Sequence, residues 1–196
     1  MDNINILKQK VISKMKGLIL LRNNFEDAEA IVTIDLIKRA SIEIDTVSCE
    51  QDLNVVSKYG LHLTCDKQLD LINLNDYTFL VIPGGAAVMN HLESQKTFDT
   101  VKHFEEKKQL IAAICAAPSI LGTLNYLDNE EFVCFPSFEK YSLNGIYNEH
   151  EKAVVANNHI TSKACGTVFE FAYEIIKYLK DENTANKVFK EIYYKN

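Results

Sequence analysis

One of the five cysteines lies where a reactive side chain is expected. Cys115 follows the apolar run LIAAI at 110–114, which is typical of a buried strand, and precedes Ala116, Ala117 and Pro118. Proline is favoured at the first position of a helix, and small neighbours permit the tight turn that exposes a nucleophile. The positive end of the following helix favours thiolate over thiol. We therefore predict an activated Cys115 at a strand-to-helix turn, although a buried core cysteine is the competing interpretation.

Two glycines end another run of buried-strand type. Gly84 and Gly85 close TFLVIPGG at 78–85. Without side chains, their backbone N–H groups can approach a ligand closely and form an oxyanion site. An ordinary turn after the strand explains a lone Gly-Gly pair equally well. The pairing with Cys115 favours the functional interpretation.

Three acidic residues open the first predicted helix. Glu26, Asp27 and Glu29 lie where acids stabilise the helix dipole. The alternative is that one of the three points into the site beside Cys115. A buried carboxyl there would stay neutral more easily and could donate a hydrogen bond to the sulfur.

A second cysteine and the histidines leave alternatives open. Cys165 is a rival nucleophile because it also precedes a helix and has small residues on both sides, but no buried strand leads into it as cleanly. The five histidines are scattered, and none neighbours Cys115 in sequence. A Cys–His pair needs only spatial contact, so His91 or His150 could still complete one.

The elements that must position these residues alternate between strand and helix. Buried-strand runs occur at 17–21, 42–48, 78–85 and 110–115, and amphipathic helices are predicted at 27–40, 98–109, 118–125, 168–179 and 185–192. Residues 55–74 suggest a hairpin turning at Gly60, and 153–163 suggest two short strands joined near Asn157. The alternation predicts an α/β fold with a mainly parallel sheet covered on both faces. Ligands bind beyond the carboxyl ends of such strands, where the glycine pair and Cys115 meet.

Composition narrows the class of protein. The 196 residues suit one domain, and 47% apolar residues suffice for a full core. A net charge of −6 argues against a nucleic-acid partner. The absence of a long apolar run or a signal-peptide core predicts a cytoplasmic protein with no membrane partner. An odd number of widely spaced cysteines, without zinc-ligand spacing, predicts neither a disulfide framework nor a metal site.

Several motifs in order resemble the ThiJ/PfpI superfamily. They are IPGG at 82–85, AAICAAPSIL at 112–121, GTVFEFAYEII at 166–176 and the first-helix run at 25–42. The resemblance covers about Lys16 to the C-terminus and is closest to bacterial members related to the human parkinsonism-associated protein. It implies a flavodoxin-like, class I glutamine amidotransferase-like three-layer sandwich that forms a homodimer. The expected organisation is an N-terminal extension at 1–15 and a single domain at 16–196.

The resemblance also assigns roles within the site. It places Cys115 at the nucleophile elbow, Glu29 as the site glutamate, and the amides of Gly85 and Ala116 beside them. The protease branch of the superfamily has a histidine directly after the cysteine. Here that position is Ala116, which argues against a peptidase.

Two further positions depart from relatives. Human-type proteins have a histidine before a proline in a loop that lines the site, and here Phe135 precedes Pro136. A mechanism that needs that imidazole is therefore in question. Cys165 stands where relatives often have proline.

Three functions follow from the resemblance. The first is weak glyoxalase or deglycase activity on dicarbonyls and glycated protein adducts, with Cys115 as nucleophile and Glu29 as its partner. The second is a non-enzymatic redox sensor or holdase chaperone in which Cys115 is oxidised. The third, less favoured, is a hydrolase or amidotransferase, which needs a Cys–His pair. No cofactor is expected for any of them.

Overall fold

The computed structural model of the protein describes residues 15–194. Its strands are β1 (Lys16–Leu21), β2 (Glu43–Ser48), β3 (Asn54–Val56), β4 (His62–Thr64), β5 (Lys67–Gln68), β6 (Phe79–Ile82), β7 (Leu110–Ile114), β8 (Glu131–Phe132), β9 (Ile146–Tyr147), β10 (Ala153–Ala156) and β11 (His159–Ser162). Its α-helices are α1 (Asp27–Arg39), α2 (Ala87–Leu92), α3 (Gln95–Glu106), α4 (Pro118–Thr123), α5 (Val168–Leu179) and α6 (Glu182–Glu191). Short 3₁₀ turns occur at Leu69–Leu71, Leu74–Asp76, Glu139–Tyr141 and Cys165–Thr167.

A seven-stranded sheet forms the centre of the molecule. Its strand order is β10-β11-β7-β6-β1-β2-β5, and every neighbouring pair is parallel except β10 and β11. The fold is the predicted α/β flavodoxin-like sandwich. The carboxyl ends of β1, β6 and β7 lie side by side in the middle of the sheet, which is where a parallel sheet gathers its functional loops.

Two apolar layers cover the two faces of the sheet. Alternate residues of β1 divide between them, because successive side chains of a strand point to opposite faces. Ile19 and Leu21 belong to the layer that includes α1, α5 and α6, whereas Leu18 and Leu20 belong to the layer that includes α3 and α4. All four are fully buried, and each such side chain contributes about 1.5–3 kcal/mol.

Most of the predicted elements are confirmed, and the differences have local causes. The hairpins at 55–74 and 153–163 form as β3–β4 and β10–β11, with positive φ at Gly60 and Asn157. The sequence analysis missed the six-residue helix α2 and the two-residue strands β5, β8 and β9, all of which are too short to show periodicity. Almost all of the predicted extension at 1–15 lies outside the described residues.

Candidate active site

Cys115 occupies a strained turn between β7 and α4. Its φ is +65°, in the left-handed region that costs a non-glycine residue roughly 1–2 kcal/mol. Hydrogen bonds from two neighbouring segments hold the turn. The Cys115 N–H donates to the Ser162 carbonyl at 2.9 Å, and the Cys115 carbonyl accepts from the Phe135 N–H at 2.7 Å. The local geometry is that of a nucleophile elbow.

Glu29 is the acid that the first helix directs toward this cysteine. Glu29 is 1% exposed, and its Oε2 accepts a hydrogen bond from the Gly84 N–H at 2.7 Å. The Cys115 thiol also hydrogen-bonds the carboxyl. The other two acids have partners elsewhere, since Glu26 pairs with Lys58 and Asp27 accepts from Ser57.

The environment of Glu29 favours its neutral form. Burial raises the pKa of the carboxyl to about 7, although the Gly84 amide and the Cys115 thiol act in the opposite direction. The second oxygen, Oε1, is buried and has no hydrogen-bond partner among residues 15–194. Because no donor contacts Oε1, this oxygen can carry the proton without loss of a hydrogen bond. At neutral pH Glu29 therefore exchanges readily between acid and carboxylate.

Cys115 is a thiol at rest, which corrects the expectation of a resting thiolate. Burial raises its pKa to about 12, and the negative charge of Glu29 and the hydrogen bond to that carboxyl raise it further. The amides of Gly85 and Ala116 lower the pKa, as the helix-end argument anticipated, but they are the weaker influence. At rest the proton therefore stays on sulfur, and sulfur becomes nucleophilic when Glu29 takes it.

The two glycines have different roles. A Cβ on Gly84 would lie 2.6 Å from the Cys115 Cβ and 2.7 Å from Glu29 Oε2, so only glycine lets these groups meet. Its amide already donates to Glu29, which leaves Gly85 and Ala116 as the amides beside the sulfur. Gly85 has φ +91°, and a Cβ there would lie 2.5 Å from the Asn24 carbonyl oxygen.

The sulfur faces a cavity of about 530 Å³. Its lining combines acids, aromatic rings and both candidate cysteines: Glu26, Glu29, Lys58, Tyr59, Gly85, Ala86, Cys115, Ala116, Phe135, Phe138, Ala164 and Cys165. Phe135 and Cys165 are therefore both part of the cavity wall. Pro136 does not line the cavity, because a turn in which the Phe138 N–H donates to the Phe135 carbonyl brings Phe138 to the wall instead.

No histidine supports the cysteine. The chain's five histidines all fall within the described residues, and none lines this cavity. His91 is buried against Thr97, at 2.9 Å between Nδ1 and Oγ1, and burial lowers its pKa to about 3. Across residues 15–194, no group of three or more His, Cys, Asp or Glu side chains is arranged to hold a metal ion.

Sequence reasoning missed the part of the wall that comes from the β3–β4 hairpin. Lys58 and Tyr59 lie at its tip, and the Lys58 N–H donates to the Phe25 carbonyl at 2.9 Å. Asp27 also accepts from Ser57 Oγ at 2.5 Å. No local sequence pattern shows that a hairpin packs over the start of α1. The contact between Asp27 and Ser57 joins residues 30 positions apart, so only knowledge of that long-range contact could have indicated the packing.

A somewhat larger cavity, of about 590 Å³, lies elsewhere. It is lined by Glu170, Phe189 and Tyr194, among others, and Glu170 there pairs with Lys152. It contains no cysteine. The chemistry of the side chains therefore favours the smaller cavity at Cys115 as the functional site.

Comparison with known proteins agrees with this geometry. The model of the DJ-1/PfpI family matches residues 15–178. Protein dj-1beta of Drosophila melanogaster is 28% identical over 89% of this chain and 94% of its own length, and a deglycase of Pyrococcus horikoshii is 26% identical over 85% of this chain and its full length. The structure of oxidized DJ-1 from Toxoplasma gondii has a TM-score of 0.87 at 28% identity, covering 93% of this chain and all of that one.

No helix in the described part of the chain has the length and apolar character needed to cross a membrane.

The family model spans most of the sequence, including the two strands that precede Gly84 and Cys115. On these grounds the chain belongs to the DJ-1/PfpI family.

Proposed function

We propose that this protein is a cysteine-dependent enzyme that acts weakly on 2-oxoaldehydes and on their early adducts with proteins. The observation that carries the proposal is that the Cys115 thiol, the Glu29 carboxyl and the amides of Gly85 and Ala116 converge at one cavity. A volume of about 530 Å³ is in the range of small-molecule sites. The name deglycase carried by the Pyrococcus horikoshii relative supports this choice.

The first chemical step uses the thiol proton. Sulfur attacks the aldehyde carbon, a C–S bond forms, and the carbonyl π electrons move to oxygen while the thiol proton passes to the Glu29 carboxylate. The amides of Gly85 and Ala116 donate to the new oxyanion. Without this proton transfer, a thiol with a pKa raised to about 12 would react slowly at neutral pH.

The later steps need further proton transfers and water. Glu29 returns a proton to the oxyanion, which gives a hemithioacetal. The carboxylate then removes the hydrogen of the former aldehyde carbon and delivers it to the adjacent carbon, while the hydroxyl proton moves from the former aldehyde oxygen to the former ketone oxygen. The product is a thioester of a 2-hydroxy acid, which water hydrolyses to the free acid and the regenerated thiol. With one acid–base group and no imidazole, we expect modest turnover, since each such group typically contributes about 10²–10⁴ in rate.

The test is turnover of methylglyoxal to a 2-hydroxy acid by purified protein. Cys115→Ser should abolish it. Cys49→Ser is the matched control, because burial also raises the pKa of Cys49 to about 12 but that thiol does not line the cavity. Turnover that survives in Cys115→Ser would overturn the proposal.

The buried free oxygen of Glu29 favours a second function, that of a redox sensor. A protonated Oε1 could donate to an oxidised sulfur in a cavity without imidazole. Mild peroxide should then modify Cys115 before Cys49 or Cys65, as measured by peptide mass mapping. Earlier modification of either of those cysteines would contradict the sensor.

Two further proposals concern the oligomeric state and the cellular location of the protein. We propose that the protein is a homodimer, as the resemblance implies, which light scattering would register as twice the chain mass of 22.3 kDa. We propose a cytoplasmic location, which localisation of a tagged protein would test. An amidotransferase-like activity is not proposed, because none of the described histidines lines the cavity.

A further inference from the structure

A second thiol lies in the same cavity as Cys115. Cys165 is exposed and lines the wall of the site, and it begins the 3₁₀ turn that follows β11. The other three cysteines, Cys49, Cys65 and Cys134, do not line the cavity. Cys165 is therefore the second cysteine of the cavity that Cys115 faces.

The strand register brings the two backbones together. β7 and β11 are parallel, with Ile114 opposite Ser162, and the Cys115 N–H continues this ladder by donating to the Ser162 carbonyl at 2.9 Å. Cys165 comes three residues after Ser162, so even an extended chain would place it no more than about 10 Å further on. The chain then turns, since the Thr167 N–H donates to the Ala164 carbonyl at 2.8 Å.

The two cysteines also share an electrostatic environment. Burial raises the pKa of Cys165, and the negative charges of Glu29 and Glu26 raise it further. The charge of Glu29 likewise raises the pKa of Cys115. The charge of one carboxylate therefore acts on both thiols, while its hydrogen bond is to Cys115.

The segment that carries Cys165 is open to solvent. Cys165 and Gly166 are exposed, and a Cβ added to Gly166 would meet nothing within 4 Å. Hydrogen bonds anchor the segment on both sides, from the Lys163 N–H to the Lys152 carbonyl and between Ala164 and Thr167. A disulfide needs Cα atoms about 4.4–6.8 Å apart, so the bond requires the exposed segment between these anchors to hold Cys165 within that distance of Cys115.

We propose that Cys165 is the resolving thiol for Cys115. This deepens the proposed function and rests on it, because it takes Cys115 as the reactive cysteine. A hydroperoxide oxidises the Cys115 thiol to sulfenic acid and is itself reduced to the alcohol or water. The Cys165 sulfur then attacks Sγ of Cys115, the S–O bond breaks, and the hydroxyl leaves with the Cys165 proton as water. The disulfide prevents further oxidation to sulfinate and can be reduced by small thiols.

The test is the product of mild hydrogen peroxide on the full chain, read by intact mass and by non-reducing peptide mapping after alkylation. The wild-type protein should lose two hydrogens and yield a 115–165 linked peptide that dithiothreitol removes. Cys165→Ser should instead gain two oxygens on Cys115. Cys49→Ser, the matched control, should still form the disulfide.

Two outcomes would overturn the proposal. One is wild-type protein that accumulates Cys115 sulfinate as fast as Cys165→Ser, with Cys165 still open to alkylation. The other is a disulfide only between chains, visible as a dimer on a non-reducing gel. Neither concerns turnover of methylglyoxal, so failure of the resolving thiol is distinguishable from failure of the enzyme.

Discussion

At the scale of single residues, Glu29 sets the pH dependence of the chemistry. Its carboxylate must be present to take the thiol proton, and its pKa is raised to about 7. We therefore expect kcat/KM for methylglyoxal to rise about tenfold per pH unit below pH 7 and to level off above it. Glu29→Gln should lower kcat/KM by about 10²–10⁴ and remove this inflection. A pH–rate profile of both proteins is the measurement, and an inflection that persists in the variant would assign it to another group.

The same residue should weaken the fold at neutral and alkaline pH. The folded-state pKa of about 7 exceeds the ordinary value of 4.5, so folding favours the protonated form, and this stability is lost as pH rises toward 7. The loss amounts to about 3 kcal/mol at pH 8 and about 1 kcal/mol at pH 5. Glu29→Gln cannot ionise, so its free energy of unfolding, measured with urea, should exceed that of the wild type by those amounts. Equal stability at pH 8 would show that the carboxyl is not desolvated in the folded state.

At the scale of elements, the site depends on strand ends that approach without intervening side chains. In Gly84→Ala the new Cβ would press on Cys115 and on Glu29 Oε2, and overpacking of this kind costs about 1–3 kcal/mol. Displacement of reacting groups by about 1 Å can lower the rate by about 10², so we expect a loss of that order in methylglyoxal turnover. Gly166→Ala is the matched control for stability, since its Cβ would meet nothing within 4 Å. Equal thermal stability of the two variants would contradict this account.

Features of the site that depend on local sequence could be predicted, whereas those that depend on long-range contacts could not. The β7 run and Pro118 predicted the elbow at Cys115, because strand length and helix initiation are local properties. The direction of the pKa shift at Cys115 was wrong, since it depends on burial and on a carboxyl 86 positions earlier in the chain. Tyr59 was missed for the same reason, because its place in the wall comes from a hairpin that packs across another element.

At the scale of the whole molecule, a buried polar cluster ties the layers together at the far end of β11 from Cys115. His159 is 2% exposed and lies 2.9 Å from Glu105 on α3 and 2.8 Å from Glu130 in the segment before β8. Asn158 adds a bond to Glu105 at 2.8 Å. The cluster thereby links the helical layer to the β10–β11 edge of the sheet.

Breaking this cluster should destabilise the fold without changing the chemistry. His159→Gln removes the ring that contacts both Glu105 and Glu130, and loss of a hydrogen bond to a charged group costs about 1.5–3 kcal/mol. The pKa of Glu105 is lowered, and Lys108 makes the largest of the contacts that lower it. The ionised Glu105 carboxylate therefore stabilises the fold above its ordinary pKa, and this stabilisation is lost as pH falls. The deficit of His159→Gln in thermal unfolding should therefore be largest near pH 7 and should shrink in acid. His150→Gln, an exposed control, should change stability by less than about 0.5 kcal/mol. A His159→Gln deficit that does not change between pH 7 and pH 4 would assign the loss to packing rather than to charge.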